Sequence, residues 1–213
     1  MASTGSRSDS EGAQSLVYLV RHGRTALNAA GALRGDIDVP LDEVGQDEAT
    51  ALAAALAARE PRSVISSPLR RALETAEAVA RRAGLVTRVD HRLSDRRYGE
   101  WAGSSVQAIV ARWGSLGSAP GVEPAADVRE RALAALADIA RDARGAPWVV
   151  VSHDAVIRLA LTAMGPALGD PESVPQHTGC FNTIRAEVGT DDLVSWRVLK
   201  VNELPRGLAP GPA

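Results

Sequence analysis

Aromatic side chains are scarce: Trp, Tyr and Phe make up 3% of the 213 residues. The interior must therefore be built from Ala, Leu and Val. A single cysteine, Cys180, excludes an internal disulfide framework and a thiolate metal cluster, and it fits a reducing, cytoplasmic setting. Long apolar runs are also missing. Residues 1–14 are small, polar and charged, so they make neither a signal peptide nor a membrane span and read as a disordered leader. Residues 205–213, rich in Pro and Gly, read as a flexible tail. Charge of one sign is missing too: the formal net charge is −2. No global field recruits nucleic acid or an anionic membrane, and any anion site must be local. No Gly-x-Ser-x-Gly elbow argues for a serine hydrolase, and no P-loop for a nucleotide-dependent kinase.

What remains is a chain with 45% hydrophobic residues and length for one sizeable core, read as one domain over residues 15–204. Short aliphatic runs alternate with helical periods. Residues 16–20, 63–66, 86–89 and 148–151 read as strands. Between them, residues 42–58 start at a capping Asp42 and space Ala49, Leu52, Ala53 and Leu56 along one helical face. Ser67-Pro68 reads as a cap and first helical position for a helix that ends at Gly84. Residues 104–113 suggest a short helix, residues 124–143 a long one, and residues 182–188 and 194–201 a closing hairpin. Residues 29–41 and 91–103 lack a period and read as loops over the site. The alternation predicts a three-layer α/β/α sandwich around a mainly parallel central sheet.

Two of these strands end on a histidine. The first runs into Arg21-His22-Gly23-Arg24-Thr25, the other into Ser152-His153-Asp154. In open α/β sheets ligands bind beyond the carboxyl ends of the strands. An imidazole flanked by a guanidinium, beside a glycine that lets backbone N–H groups approach, makes a phosphate cradle with a nucleophile in it. His22 alone reads equally as a buried core histidine. His91 and His177 read as ordinary loop histidines, and Trp101 and Trp148 as packing anchors. Without cysteine partners or a His-rich helix motif, zinc is not expected, nor is any other metal or cofactor.

Further blocks follow in order: Asn28, Gly35, Asp38, Pro40-Leu41 and Gly45, then Ser66-Ser67-Pro68-Leu69-Arg70-Arg71-Ala72, Leu93-Ser94-Asp95, Tyr98-Gly99-Glu100-Trp101 and Val151-Ser152-His153. Together they resemble the phosphoglycerate mutase-like branch of the histidine phosphatase superfamily, from Leu16 to about Val201. The resemblance implies a phosphoglycerate mutase-like fold. It makes His22 the nucleophile that becomes phosphorylated, with Arg21, Arg71, His153 and Asn28 around the phosphoryl oxygens. Phosphoryl transfer spreads charge over three oxygens, so positioned cations serve it without a metal. The family's proton donor is usually a glutamate in Leu-x-Glu. Here Asp95 holds that place, with Glu100 and Asp154 as rivals. Arg24 and Arg34 are candidates for contact with a second anionic group of the substrate.

The activity implied is metal-independent hydrolysis of a small phosphorylated metabolite. The alternatives are a cofactor-dependent phosphoglycerate mutase and a phospholigand-binding protein without turnover. Neither the physiological substrate nor the oligomeric state is encoded in these motifs.

Overall fold

The computed structural model describes residues 13–143 and 145–208; residues 1–12, residue 144 and residues 209–213 lie outside the described residues. Six strands form one sheet: β1 (Ala13–Arg21), β2 (Ser63–Ser66), β3 (Thr87–Val89), β4 (Trp148–Ser152), β5 (Phe181–Val188) and β6 (Val194–Glu203), in the order β3-β2-β4-β1-β5-β6. The first four strands in that order pair in parallel. β5 and β6 add antiparallel, so the mainly parallel expectation needs that correction at one edge. The hairpin across residues 189–193 reverses the chain between β5 and β6, so β5 alone runs against the other five strands.

Among the described residues six α-helices accompany the sheet: α1 (Ala26–Ala29), α2 (Glu43–Ala57), α3 (Arg70–Ala83), α4 (Val106–Trp113), α5 (Ala125–Ala143) and α6 (Asp154–Met164). Side-chain alternation along β1 sorts them into layers. Val17 and Leu19 pack with Leu136 and Ile139 of α5 and Ile157 and Leu161 of α6. Tyr18 and Val20 pack with Leu52 and Leu56 of α2 and Ala76 and Val79 of α3 on the other face. The helix faces rich in alanine let these layers approach closely, which suits a chain with few rings. A third, smaller cluster joins Leu33, Tyr98, Ile109 and Ala119 beneath the loops.

The sequence expectations hold for most elements and fail at informative places. Asp42 caps α2 by accepting the Gly45 N–H at 2.9 Å, and Gly84 ends α3 with φ +69°. Ser67 does not cap α3: Leu69 occupies the cap position, and the Ser67 hydroxyl is committed elsewhere. Ala13 and Gln14, assigned to the leader, pair with Val188 and Glu187 in the sheet, and the rest of the expected leader, residues 1–12, lies outside the described residues. Pro205, assigned to the tail, is buried. No helix among the described residues is long and apolar enough to cross a membrane.

The turn after β1 is seated by a backbone-to-backbone contact. Gly23 and Gly45 face each other so closely that a Cβ on Gly45 would lie 2.0 Å from the Arg24 carbonyl oxygen. Only hydrogen fits there. Gly45→Ala should therefore lower the unfolding free energy by about 3 kcal/mol, the upper range for overpacking; a urea midpoint close to wild type would contradict this seating.

Candidate active site

β1 and β4 are parallel neighbours in register, Arg21 opposite Ser152, so the residues that follow them emerge side by side. The His22 N–H donates to the Ser152 carbonyl at 3.1 Å, and the rings of His22 and His153 lie 5.1 Å apart, centre to centre. Both imidazoles are fully buried. α3 approaches from the neighbouring β2 and places Arg71, also fully buried, in the same cluster. Thr75 joins the two parts: its hydroxyl accepts from the Gly23 N–H and donates to the Arg71 carbonyl.

His22 has one ring nitrogen committed. Nδ1 lies 2.7 Å from the Gly23 carbonyl, which can only accept, so Nδ1 carries the proton. Nε2 keeps its lone pair, buried and without a hydrogen-bond partner among the described residues. Burial holds the His22 pKa well below 6.5, and the charge of Arg71, followed by His153, Arg21 and Arg34, pushes the same way. His153 is lowered in the same manner, by burial first and then by Arg71 and Arg34. Both rings are neutral at physiological pH.

Ser67 orients the second ring. Its hydroxyl accepts weakly from the Leu69 N–H at 3.3 Å and lies 2.7 Å from His153 Nε2, so its hydrogen goes to that nitrogen. His153 Nδ1 is then the protonated atom, 3.9 Å from Asp95 Oδ2.

The guanidiniums are held by backbone oxygens. Arg21 donates through Nη1 to the Gln176 carbonyl, while Arg71 donates to the Ile37 and Gly35 carbonyls, each at 2.8 Å. Arg71 Nη2 also meets Asp95 Oδ2 at 3.0 Å. The Nε–H of each arginine has no partner among the described residues. Burial lowers the pKa of both, though a guanidinium remains charged.

Asp95 itself is fixed by residues that sequence reasoning missed. Arg131 of α5 donates to the carbonyls of Arg92, Ser94 and Asp95 and to both oxygens of the buried Glu123. Glu123 also accepts the Arg97 N–H at 3.0 Å, and the Ser152 hydroxyl donates to the Leu93 carbonyl. The Pro120-Gly121-x-Glu123 stretch was a signal for Glu123, but Val122 and Pro124 obscured it. Nothing in the sequence marked Arg131.

Beside the cluster opens a cavity of about 560 Å³ whose lining includes Arg21, Asn28, Arg34, Tyr98, Asp154 and Arg158. Asn28 reaches it with its amide nitrogen free, since its carbonyl oxygen caps α1 by accepting from the Thr25 N–H and hydroxyl. Arg34 is half-buried there, its only hydrogen bond a long one to the Ala32 carbonyl among the described residues. Arg24 points away. Its guanidinium pairs with Asp42 at 2.9 Å and does not line the cavity, because the same Asp42 that caps α2 draws it to the protein surface. Glu100 is exposed and off the cavity, and Asp154 is on it with one oxygen taken by Arg158. Cys180 is buried, its thiol pushed up to about 12 by burial, so it is an inert packing residue.

The model of the histidine phosphatase superfamily, branch 1, matches residues 17–199. The chain belongs to this superfamily. Within it, the chain is 34% identical to a glucosyl-3-phosphoglycerate phosphatase of Mycolicibacterium vanbaalenii over 167 residues, 69% of this chain and 72% of that one. It is 32% identical to a metal-independent phosphoserine phosphatase of Arabidopsis thaliana over 155 residues, 67% of this chain and 65% of that one. The solved native structure of a mycobacterial glucosyl-3-phosphoglycerate phosphatase superposes with a TM-score of 0.78 at 28% identity, covering 89% of this chain and 99% of that one.

The neutral imidazoles of this histidine phosphatase have a measurable consequence. In the unfolded chain each histidine takes up a proton below pH 6.5, whereas the buried ring does not until a lower pH. Stability is therefore full above about pH 6.5 and falls as the pH drops below it. The melting temperature of His22→Gln and His153→Gln should vary less with pH between 7.5 and 5 than that of wild type. Equal slopes would show that the rings are not buried in neutral form.

Proposed function

We propose that this histidine phosphatase hydrolyses phosphomonoesters of small metabolites, with His22 Nε2 as the attacking atom. The observation that carries the reading is that unpartnered lone pair, buried beside two unpaired Nε–H groups of Arg21 and Arg71. A phosphoryl group between them would have an in-line nucleophile and donors for its equatorial oxygens. His153 Nδ1–H and the Asn28 amide would supply further donors, and Arg34 would meet a substrate oxygen or a second anionic group at the mouth. Its pairing with Asp42 takes Arg24 out of this role.

In the first step the Nε2 lone pair forms the N–P bond as the P–O bond to the alcohol breaks. Asp95, which takes up a proton as the substrate's phosphate dianion enters beside it, gives that proton to the departing oxygen. The Gly23 carbonyl steadies the Nδ1–H as positive charge grows on the ring. In the second step water attacks phosphorus, the Asp95 carboxylate takes the water's proton, and the N–P electron pair returns to Nε2. Inorganic phosphate leaves and the site is restored. Its place inside the buried cluster, 3.9 Å from His153, favours Asp95 as donor over the exposed Glu100 and over Asp154, which lies on the cavity wall. The positioned guanidiniums balance the phosphoryl charge, so the reading needs no metal or other cofactor. It also includes one catalytic domain, a cytoplasmic location, and no nucleic-acid or membrane partner.

A panel of phosphomonoesters assayed in EDTA should release inorganic phosphate with wild type and none with His22→Ala. Asp95→Asn should lose about 100-fold or more with alkyl esters and much less with p-nitrophenyl phosphate, whose leaving group needs no proton. Activity that requires metal, or survives in His22→Ala, would overturn the mechanism. Interconversion of phosphoglycerates without phosphate release would replace it by a mutase.

A further inference from the structure

The cavity beside the histidine pair is far larger than a phosphoryl group needs, and its outer walls are apolar. On one side Leu33 and the α4 residues Val106 and Val110 stand with Leu116 of the following turn. Leu159 of α6 lines the cavity as well. Val110 is 39% exposed, a large apolar side chain that no core cluster claims and that faces this opening.

Several polar groups of the lining are engaged already. Arg158 holds Asp154 and the Glu172 carbonyl, Arg96 Nε donates to the Glu123 carbonyl, and an Asp170 oxygen accepts from the Glu172 N–H. Against Leu33, Val106, Val110, Leu116 and Leu159 the hydroxyls of a sugar or glycerate leaving group would find no partner, and each would lose its water. An alkyl or aryl group would instead lose apolar surface to those leucines and valines.

The geometry points to a phosphomonoester of a bulky apolar alcohol as the preferred substrate class, its hydrocarbon part lying against α4 and Leu159. This rests on the phosphatase reading above and deepens it. Selectivity would arise in the walls while the charged floor, from Arg21 to Arg34, handles the phosphoryl group common to all esters.

The test is kcat/KM for ethyl, butyl, hexyl and octyl phosphate, whose leaving groups have nearly the same acidity, so that only wall contact changes. Glycerol 3-phosphate and 3-phosphoglycerate serve as polar comparisons. Full burial of each added methylene corresponds to roughly a fourfold gain, so hexyl phosphate should exceed ethyl phosphate by well over tenfold and exceed both polar esters. In Val110→Asp the gain per methylene should shrink. A flat series with ethyl phosphate still hydrolysed, or a faster polar ester, would overturn the inference and leave the phosphatase reading intact. An undiminished slope in Val110→Asp would overturn the assignment to this wall. Failure of every ester to release phosphate would instead reject the phosphatase reading itself.

Discussion

The ion pair of Arg71 with Asp95, closed off from water on both sides, is the constraint around which the catalytic edge is built. A buried guanidinium without acceptors would be strongly destabilising. Arg71 meets this by drawing the Gly35 and Ile37 carbonyls of the loop before α2 and the Asp95 carboxylate of the loop after β3 to itself. Two loops distant in sequence are thereby fixed to the first turn of one helix. The helix is fixed in turn to the strand carrying His22, through Thr75. Removing the charge would release all of these at once, which is why packing and chemistry cannot be separated at this edge.

The same burial decides the protonation of the imidazoles. Desolvation and the neighbouring cations act in one direction, toward neutral rings. Hydrogen bonding then selects which nitrogen is bare. Gly23 takes the proton-bearing side of His22, and Ser67 takes the bare side of His153. Two chemically identical side chains are thus held in opposite arrangements, His22 with Nε2 bare and His153 with Nδ1 protonated. Arg21 and Arg34 add positive charge that Asp95 alone does not balance, and a phosphate anion is the complement such a cluster lacks.

Much of this was legible in the chain because it rests on local pattern. Strands ending in Arg21-His22-Gly23 and Ser152-His153 show as aliphatic runs stopping at polar residues, and parallel pairing of β1 with β4 then brings the histidines together. Asp42 and Gly84 announced their helix ends for conformational reasons that need no tertiary information. The misses share another cause. Ser67 looked like a cap because a hydroxyl before proline usually is one, and only the position of His153 gives it a different partner. Arg24 looked like a ligand for anions until Asp42, eighteen residues later, claimed it. Arg131 carries no local mark at all, since its function is defined by carbonyl oxygens on a loop more than thirty residues away.

Arg131 also decides where the backbone of the loop carrying Asp95 stands. Arg131 grips the carbonyls of Arg92, Ser94 and Asp95 in one guanidinium, and Glu123 both holds that guanidinium and takes the Arg97 N–H on the far side of the acid. The Ser152 hydroxyl, one residue before His153, ties the same loop to the end of β4 through Leu93. The loop is thus held from three sides, and the short carboxylate arrives within 3.0 Å of Arg71 and 3.9 Å of His153. The position of this carboxylate is therefore set by the backbone grip of Arg131, Glu123 and Ser152 as much as by its own contact with Arg71.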